Sequence, residues 1–506
     1  MSGPAVVIGS GPNGLAAAIT LAEAGREVTV LEASDRLGGA VATEELTLPG
    51  FHHDTYSAVY PATAASPVFA RMPLERHGLR WVHPRRCYAH VLPEGRAVAL
   101  SRDVGETVAS LNALHPGDGD AWRSFAEPYL RHWGAWRDTM LSGFPPVKGP
   151  ARMLAAKRLR GTLEFARLLL MPAEGLGHRM FGAGGSRAWL YGSAMHGDAP
   201  PSSGGSGIAA AHLNLMGHAV GWPSPEGGAA RLADALVGRL RELGGTVRPS
   251  APVTRVHVER GRATGVEVAG SDRLPASLVV GDVTPAGLLS LAGDALGSRY
   301  AGELRGYRRG PATLKVDWAL SGPIPWAAAE AREAGTVHVG GNEEDVLEAL
   351  APAGRDLHEK PFMLLGQQTV ADPSRAPAGQ HTAWAYTHGP QNADWEHETD
   401  RQVERMEAQV ERFAPGFRDL ILARHVLGPA DLERRNPNLL GGDVGAGSYS
   451  LDQTVFRPLP SLNPYRTPVR GLFLGSAATF PGGAVHGVPG HAAARAALRE
   501  AAVRRF

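Results

Sequence analysis

The sequence predicts an α/β protein: a Rossmann-like dinucleotide-binding domain interleaved with a second, α+β domain. Three observations lead there. The chain opens on an apolar run, residues 5–8, that breaks into Gly9-Ser10-Gly11-Pro12-Asn13-Gly14, a G-x-G-x-x-G loop directly behind a strand. Its 506 residues exceed what one hydrophobic core organises, so two interlocked domains are expected. Glycine-rich loops also stand near both chain ends, at 9–14 and 482–490, as they would if both ends served one nucleotide site.

Residues 15–24, rich in Ala and Leu and stopped by Gly25, read as a helix, and residues 28–31 as a second short strand ending in Glu32. Each part of this βαβ unit has a task. Gly9 allows the tight turn, Gly11 lets backbone approach a diphosphate, and Gly14 permits close packing of helix on strand. With Pro12 and Asn13 the loop leads into a helix start that offers free N–H groups and a partial positive charge. Glu32, 18 residues beyond Gly14, is placed to accept hydrogen bonds from a ribose diol. Beyond it come Ala33, then Arg36 four residues after the acid, then the pair Gly38-Gly39 and Ala40. This extended pattern resembles the glycine-doublet flavoproteins, the group that holds amine oxidases and phytoene desaturases. The resemblance implies FAD, bound without a covalent link, in place of NAD, and an FAD-binding domain of glutathione-reductase type.

Composition is ordinary for a globular protein, and a net charge of +1 gives no sign of a nucleic-acid groove. The lone Cys87 rules out an intramolecular disulfide and a cysteine metal cluster, which suits a reducing cytoplasm. The first strand begins almost at once, leaving no room for a signal peptide, and no apolar run approaches the ~20 residues of a membrane span. The expected location is therefore cytoplasmic, with membrane association kept open by one segment. That segment, 148–171, mixes Lys148, Arg152, Lys157, Arg158, Arg160 and Arg167 with leucines, so it reads either as a helix on an anionic lipid surface or as a plain cap helix.

Along the rest of the chain, residues 43–51 look like a strand and turn leading to His52-His53-Asp54. The paired histidines suggest no metal, because neighbours on a strand point to opposite sides and no third ligand is near. By family analogy this segment runs beside the flavin, which makes Asp54 and Tyr56 candidates for its surroundings. Aromatics at 122, 125, 129, 133 and 136 share one helical face, read as core. The glycines at 204–207 follow no strand, so they open a helix at 208–216 and do not form a second nucleotide loop. After the Pro-Gly turn at 222–228 an amphipathic helix carries Leu232, Leu236 and Leu240 on one face. Strands at 253–258, 265–268 and 274–280, joined by turns at 260–261 and 270–272, form a meander, with Val253 near the adenine by the same analogy. Further strands are expected at 313–320, 362–368 and 381–387, and helices at 343–350 and 398–414. Lys315 stands inside a run suited to a buried strand, so it must pair, reach solvent or serve the site.

Near the end, residues 471–475 form a short strand into Gly475, and Gly482, Gly483, Ala484, Val485, His486 and Val488 lead into an Ala-rich helix ending near Arg504. Such a helix would aim its N-terminus at the flavin. At this point the resemblance spans the whole chain, which is similar to bacterial phytoene dehydrogenase-like FAD-dependent oxidoreductases; Gly441-Gly442-Asp443, Gln453 and Arg457-Pro458 add to it. A histidine that some branches place near position 446 is replaced by Ala446, so their mechanism is not carried over. The implied division is an FAD domain from segments 1–65, 221–285 and 461–506, and a substrate domain from 66–220 and 286–460.

Flavin supplies the redox step in such proteins, so catalytic candidates are secondary: His486 in the loop beside the flavin, Lys315 and Asp54, with His196, His212, His218 and His388 as candidates by residue type. No G-x-S-x-G elbow follows a strand, which argues against serine hydrolysis. The expected function is dehydrogenation or isomerisation of a largely apolar small molecule, with oxygen or a quinone as electron acceptor. A flavin amine oxidase and a non-catalytic FAD-stabilised scaffold are the alternatives.

Overall fold

The computed structural model describes residues 3–197, 199–270, 273–351 and 354–503, with the side chains of 157–160 and 503 left aside. The expected 270–272 turn falls partly outside the described residues, as does the end of the last helix near Arg504; the charges of Lys157, Arg158 and Arg160 lie outside them too.

A five-stranded parallel sheet forms the first layer, in the order Leu472–Leu474, Leu278–Gly281, Ala5–Ile8, Val28–Leu31, Thr246–Arg248. Four of its strands, all but Thr246–Arg248 at one edge, read as short apolar runs because both faces are covered. The helices Pro12–Glu23, Ala230–Glu242 and Val488–Val503 pack on it and share one core, which Phe69, Met72, Leu74 and Leu79 also enter. Two close approaches bring this region together. A Cβ on Gly14 would lie 2.1 Å from the Gly9 carbonyl oxygen, and one on Gly490 would lie 1.8 Å from the Asn13 carbonyl oxygen. The first helix and the C-terminal helix therefore meet backbone to backbone near their N-terminal ends.

The expected strand 274–280 is in fact two. Leu274–Pro275 closes a small antiparallel sheet with Val253–Glu259 and Arg262–Val268, whereas Leu278–Gly281 joins the parallel sheet beside the first strand. The break comes where the chain leaves its antiparallel partner, after the Ala276 N–H bonds the Thr264 carbonyl, and turns to pair in parallel with Ala5–Ile8.

The second layer is a seven-stranded mixed sheet, ordered Ile421–Leu427, Ala312–Leu320, His381–Gly389, Met363–Gly366, Ala334–Val339, Arg86–Leu92, Arg96–Leu100. One pair, Ala334–Val339 with Arg86–Leu92, is parallel. Helices Trp395–Phe413 and Glu343–Ala349 start where Asp394 and Asn342 accept hydrogen bonds from backbone N–H groups, so the former begins three residues earlier than expected. The aromatic stripe 122–136 spans two helices, Asp118–Leu130 and Trp133–Met140, and Trp122 and Trp136 are core residues as expected. The basic segment is one helix, Lys148–Leu170, and residues 206–220 form another, longer than the 208–216 expected. Among the described residues no helix is long and apolar enough to cross a membrane.

Candidate active site

One cavity of about 1760 Å3 runs from the carboxyl ends of the parallel strands to the inner face of the seven-stranded sheet. That position, outside the strand ends, is where open α/β sheets bind ligands.

Its nucleotide half is built from backbone. Gly9, Gly11, Pro12 and Asn13 line it, and the first helix starts at Pro12 behind Gly11, which has no side chain to cap it, with only the Gly14 N–H of its first turn taken by a side chain, that of Asp282. Glu32 closes one wall, where its Oε2 accepts from the Ser10 N–H at 2.8 Å and the Ser10 hydroxyl at 2.7 Å. Its Oε1 takes the Ser34 N–H at 2.9 Å. The same Ser10 Oγ accepts from the Gly38 N–H at 3.1 Å, so loop, acid and glycine doublet form one hydrogen-bonded unit. Ala33, Arg36, Gly39, Ala40 and Val253 continue the lining, with Arg36 ion-paired to Glu44. From the C-terminal segment come Gly483, Val485 and His486.

Five residues expected at the cofactor stand behind this wall instead of lining it. Gly14 gives its N–H to Asp282 and packs on the first strand, Gly38 serves Ser10, and Gly475 packs on the C-terminal helix beside Ala493. Gly482 backs on Arg457, and Val488 is buried in the first turn of the last helix.

Asp282 is the residue that sequence reasoning missed. It follows the strand Leu278–Gly281 and lines the cavity, and its Oδ2 accepts from the Gly14 N–H at 2.9 Å. Burial pushes its carboxyl up to about 7; the Gly14 N–H opposes the shift and the neighbouring Glu32 charge adds to it. Asn438 fixes the segment by donating to the Asp282 carbonyl at 2.8 Å and accepting from the Thr284 N–H at 3.1 Å. An acid at the end of an apolar strand was the available signal, hidden because that run continues the meander pattern.

The other half, largely apolar, is built from side chains. Ile208, His212 and Met216, four residues apart on one helix, line one wall with Leu141, Phe165 and Leu169. The floor is the inner face of the seven-stranded sheet, where register sets Lys315 opposite Tyr386 and Trp384 opposite Gly366, itself opposite Thr336. Lys315, Thr336, Trp384 and Tyr386 reach the cavity, as does Tyr56. Lys315 Nζ lies between both oxygens of the buried Asp317, so pairing answers its burial, and it faces the cavity as well.

Two catalytic candidates are corrected. Asp54 is fully buried and absent from the cavity wall; its Oδ1 takes the Thr43 hydroxyl and the Ala229 N–H, both at 2.8 Å, and pairs with Arg375 at 2.9 Å. It ties the segment 43–54 to the turn before the helix Ala230–Glu242. His486 touches the cavity but has both nitrogens committed: Nδ1 accepts from the Val488 N–H at 3.2 Å, so Nε2–H donates to the Gly483 carbonyl at 3.1 Å. Burial lowers its pKa to about 4, so the ring is neutral and both its nitrogens hold the loop. Of the remaining histidines, His218 is held in the core between the Trp122 N–H and the Arg102 carbonyl, and His388 meets Thr313 at 3.2 Å. His196 reaches the cavity and shares a 3.0 Å contact with His338. His53 is buried against Thr47 at 2.7 Å, and among the described residues no group of three His, Cys, Asp or Glu side chains could hold a metal.

A family model for NAD(P)-binding Rossmann-like domains matches residues 7–72. The chain is 28% identical to pyridine nucleotide-disulfide oxidoreductase domain-containing protein 2 of Rattus norvegicus, over 98% of this chain and 93% of that one. It is 25% identical to one of the limonene dehydrogenase subunits of Castellaniella defragrans, over 98% and 94% of the two chains. It is also 25% identical to a neurosporene-forming phytoene desaturase of Rhodobacter capsulatus, over 96% and 92%. Among solved structures, an oxidoreductase from Methanosarcina mazei superposes with a TM-score of 0.65 at 16% identity, covering 98% of this chain and all of that one. A putrescine oxidase variant does so at 0.60 and 16%, covering 99% of both, and at such identities the likeness is one of fold. The homologues thus include carotenoid desaturases, the structural neighbours include an amine oxidase, and the protein is an oxidoreductase with a Rossmann-type nucleotide-binding domain.

Proposed function

We propose that the protein is an FAD-dependent oxidoreductase that dehydrogenates or isomerises a largely apolar small molecule. The observation that carries this reading is the continuity of the cavity: a nucleotide half lined by backbone opens without a barrier into an apolar half lined by side chains. In this reading segments 1–65, 221–285 and 461–506 hold the cofactor, and 66–220 and 286–460 shape the substrate half.

The residues present fit a dinucleotide. Gly11 and Asn13 bring the helix start to a diphosphate, Glu32 faces a ribose, and the buried Asn13 Oδ1 has no partner among the described residues, so it is free to accept from a ligand hydroxyl. The 483–486 loop is fixed from behind, since Thr63 and the Ser66 hydroxyl donate to the carbonyls of Val485 and His486. It is followed directly by the N-terminus of the last helix, which favours negative charge nearby. When bound, FAD supplies the acceptor for a hydride from a substrate C–H. The chain's own part is to place that C–H, to keep water out with the walls around Phe165 and Ile208, and to hold a proton on Lys315 Nζ beside Asp317.

Where the apolar half reaches the surface, Leu170 is 60% exposed and Leu451 38%, and both also line the cavity. Leu163, 62% exposed, and Arg167 stand on the same helix as Leu170. Contact of this rim with an anionic lipid surface, as a source of apolar substrate, is part of the reading.

The test is anaerobic mixing of the flavin-loaded protein with isoprenoids, lipids and amines while flavin absorbance is followed. Bleaching by an isoprenoid or lipid supports the proposal. Bleaching by amines alone makes the protein an amine oxidase, and no bleaching by any of them, with FAD affecting only thermal stability, makes it a scaffold.

A further inference from the structure

We infer that the apolar half of the cavity reads one neutral oxygen function, a carbonyl, hydroxyl or ether, on an otherwise hydrocarbon ligand, through the Nε2–H of His212. This rests on the reading of that half as the substrate site.

The argument begins with Trp136. Its indole N–H can only donate, and it points at His212 Nδ1 from 2.9 Å within the core, where Trp136 is fully buried. His212 Nδ1 must therefore accept, which puts the ring's single proton on Nε2. A second proton on Nδ1 would face the indole N–H, and burial independently lowers the pKa to about 3, with His486 adding a smaller effect. The ring is thus held as a neutral imidazole of one tautomer, unable to act as a base through Nε2. The Trp133 ring lies alongside, 6.4 Å away between centroids and inclined by 22°.

Nε2–H faces the other way. It has no hydrogen-bond partner among the described residues, and His212 lines the cavity between Ile208 and Met216, the residues four before and four after it on the helix Ser206–Val220. A donor in an apolar wall penalises a ligand that leaves it unpaired and favours one that brings an acceptor. A carboxylate would need a cation beside His212 as well, but among the described residues His486 is the only titratable side chain that acts on that ring, while Lys315 and Arg434 are paired with Asp317 and Asp431, and Arg36 and Arg435 share Glu44. What remains is a neutral oxygen.

The test uses the flavin-loaded protein, a hydrophobic fluorescent dye that occupies the cavity, and two displacing ligands: dodecane and the methyl ketone of the same carbon chain. The wild type should bind the ketone roughly 10- to 100-fold more tightly than the alkane. His212→Phe should abolish that preference while changing alkane affinity little, and His212→Gln, whose amide still donates, should restore part of it. Equal binding of the two ligands by the wild type, or an unchanged preference in His212→Phe, overturns the proposal alone. Failure of both ligands to displace the dye overturns the apolar-cavity reading together with it. Should His212→Phe not fold, nitrogen-15 spectra of the wild type and Trp136→Phe decide: Nε2–H alone in the former and a mixture of tautomers in the latter is expected. A mixture already in the wild type is contrary.

Discussion

The two halves of the cavity recognise in different ways. The nucleotide half presents main-chain N–H groups and close backbone approaches, with Glu32 and Asp282 as its acids, and its parts are joined by Ser10. The apolar half presents side chains contributed by a helix at 206–220, another at 148–170 and strands of a mixed sheet. Backbone recognition demands particular residues at fixed spacing, whereas side-chain recognition demands only shape and a few polar groups.

Substitutions should separate the halves, and the largest effect belongs to the backbone side. Gly490→Val places a side chain into the Asn13 carbonyl, so the protein should lose bound flavin and several kcal/mol of stability, on the order of 3 or more, seen in flavin absorbance and thermal unfolding. A protein that still carries stoichiometric flavin would show that the two helix starts are not jointly required. Asp54→Ala comes next, since it leaves the buried Arg375 unpaired; a loss of roughly 3–5 kcal/mol is expected in denaturant unfolding. Normal stability with lost activity would return Asp54 to a catalytic role.

Asp282→Asn should act in the opposite direction. Its folded pKa, about 7, lies above the ordinary value near 3.8, so the folded state is relatively most stable below pH ~4 and loses that advantage as pH rises through 7. The amide removes the penalty. Stability at pH 8 should rise by roughly 1–3 kcal/mol, FAD should bind more tightly there, and no gain should appear at pH 4. An equal gain at both pH values would refute the assignment to this carboxyl. The smallest effect is expected at the rim: Leu163→Ser with Leu170→Ser should reduce cosedimentation with anionic vesicles by a few-fold and leave flavin content unchanged.

How much was legible in the sequence follows the same division. Gly9, Gly11, Glu32 and Gly39 could be placed from spacing alone, because a tight turn and a close backbone approach leave few residue choices. Asp54 and His486 depart from expectation for one reason: a polar residue near a motif can hold the loop in place as easily as face the ligand, and only hydrogen-bond partners separate the two. Asp282 and His212 depend on contacts across 268 and 76 residues of sequence, with Gly14 and Trp136, and no local pattern records such pairs. The strand 274–280 divided at Pro275 because parallel pairing with Ala5–Ile8 outweighed the local meander pattern.

The central claim is that one cavity holds both a dinucleotide and an apolar ligand side by side. It is tested most directly by titrating the flavin-loaded protein with a long-chain methyl ketone while recording the absorbance of bound flavin. A saturable shift of the flavin bands with FAD retained is the predicted result; release of FAD by the ketone, or saturable binding with no change in the bands, would contradict it.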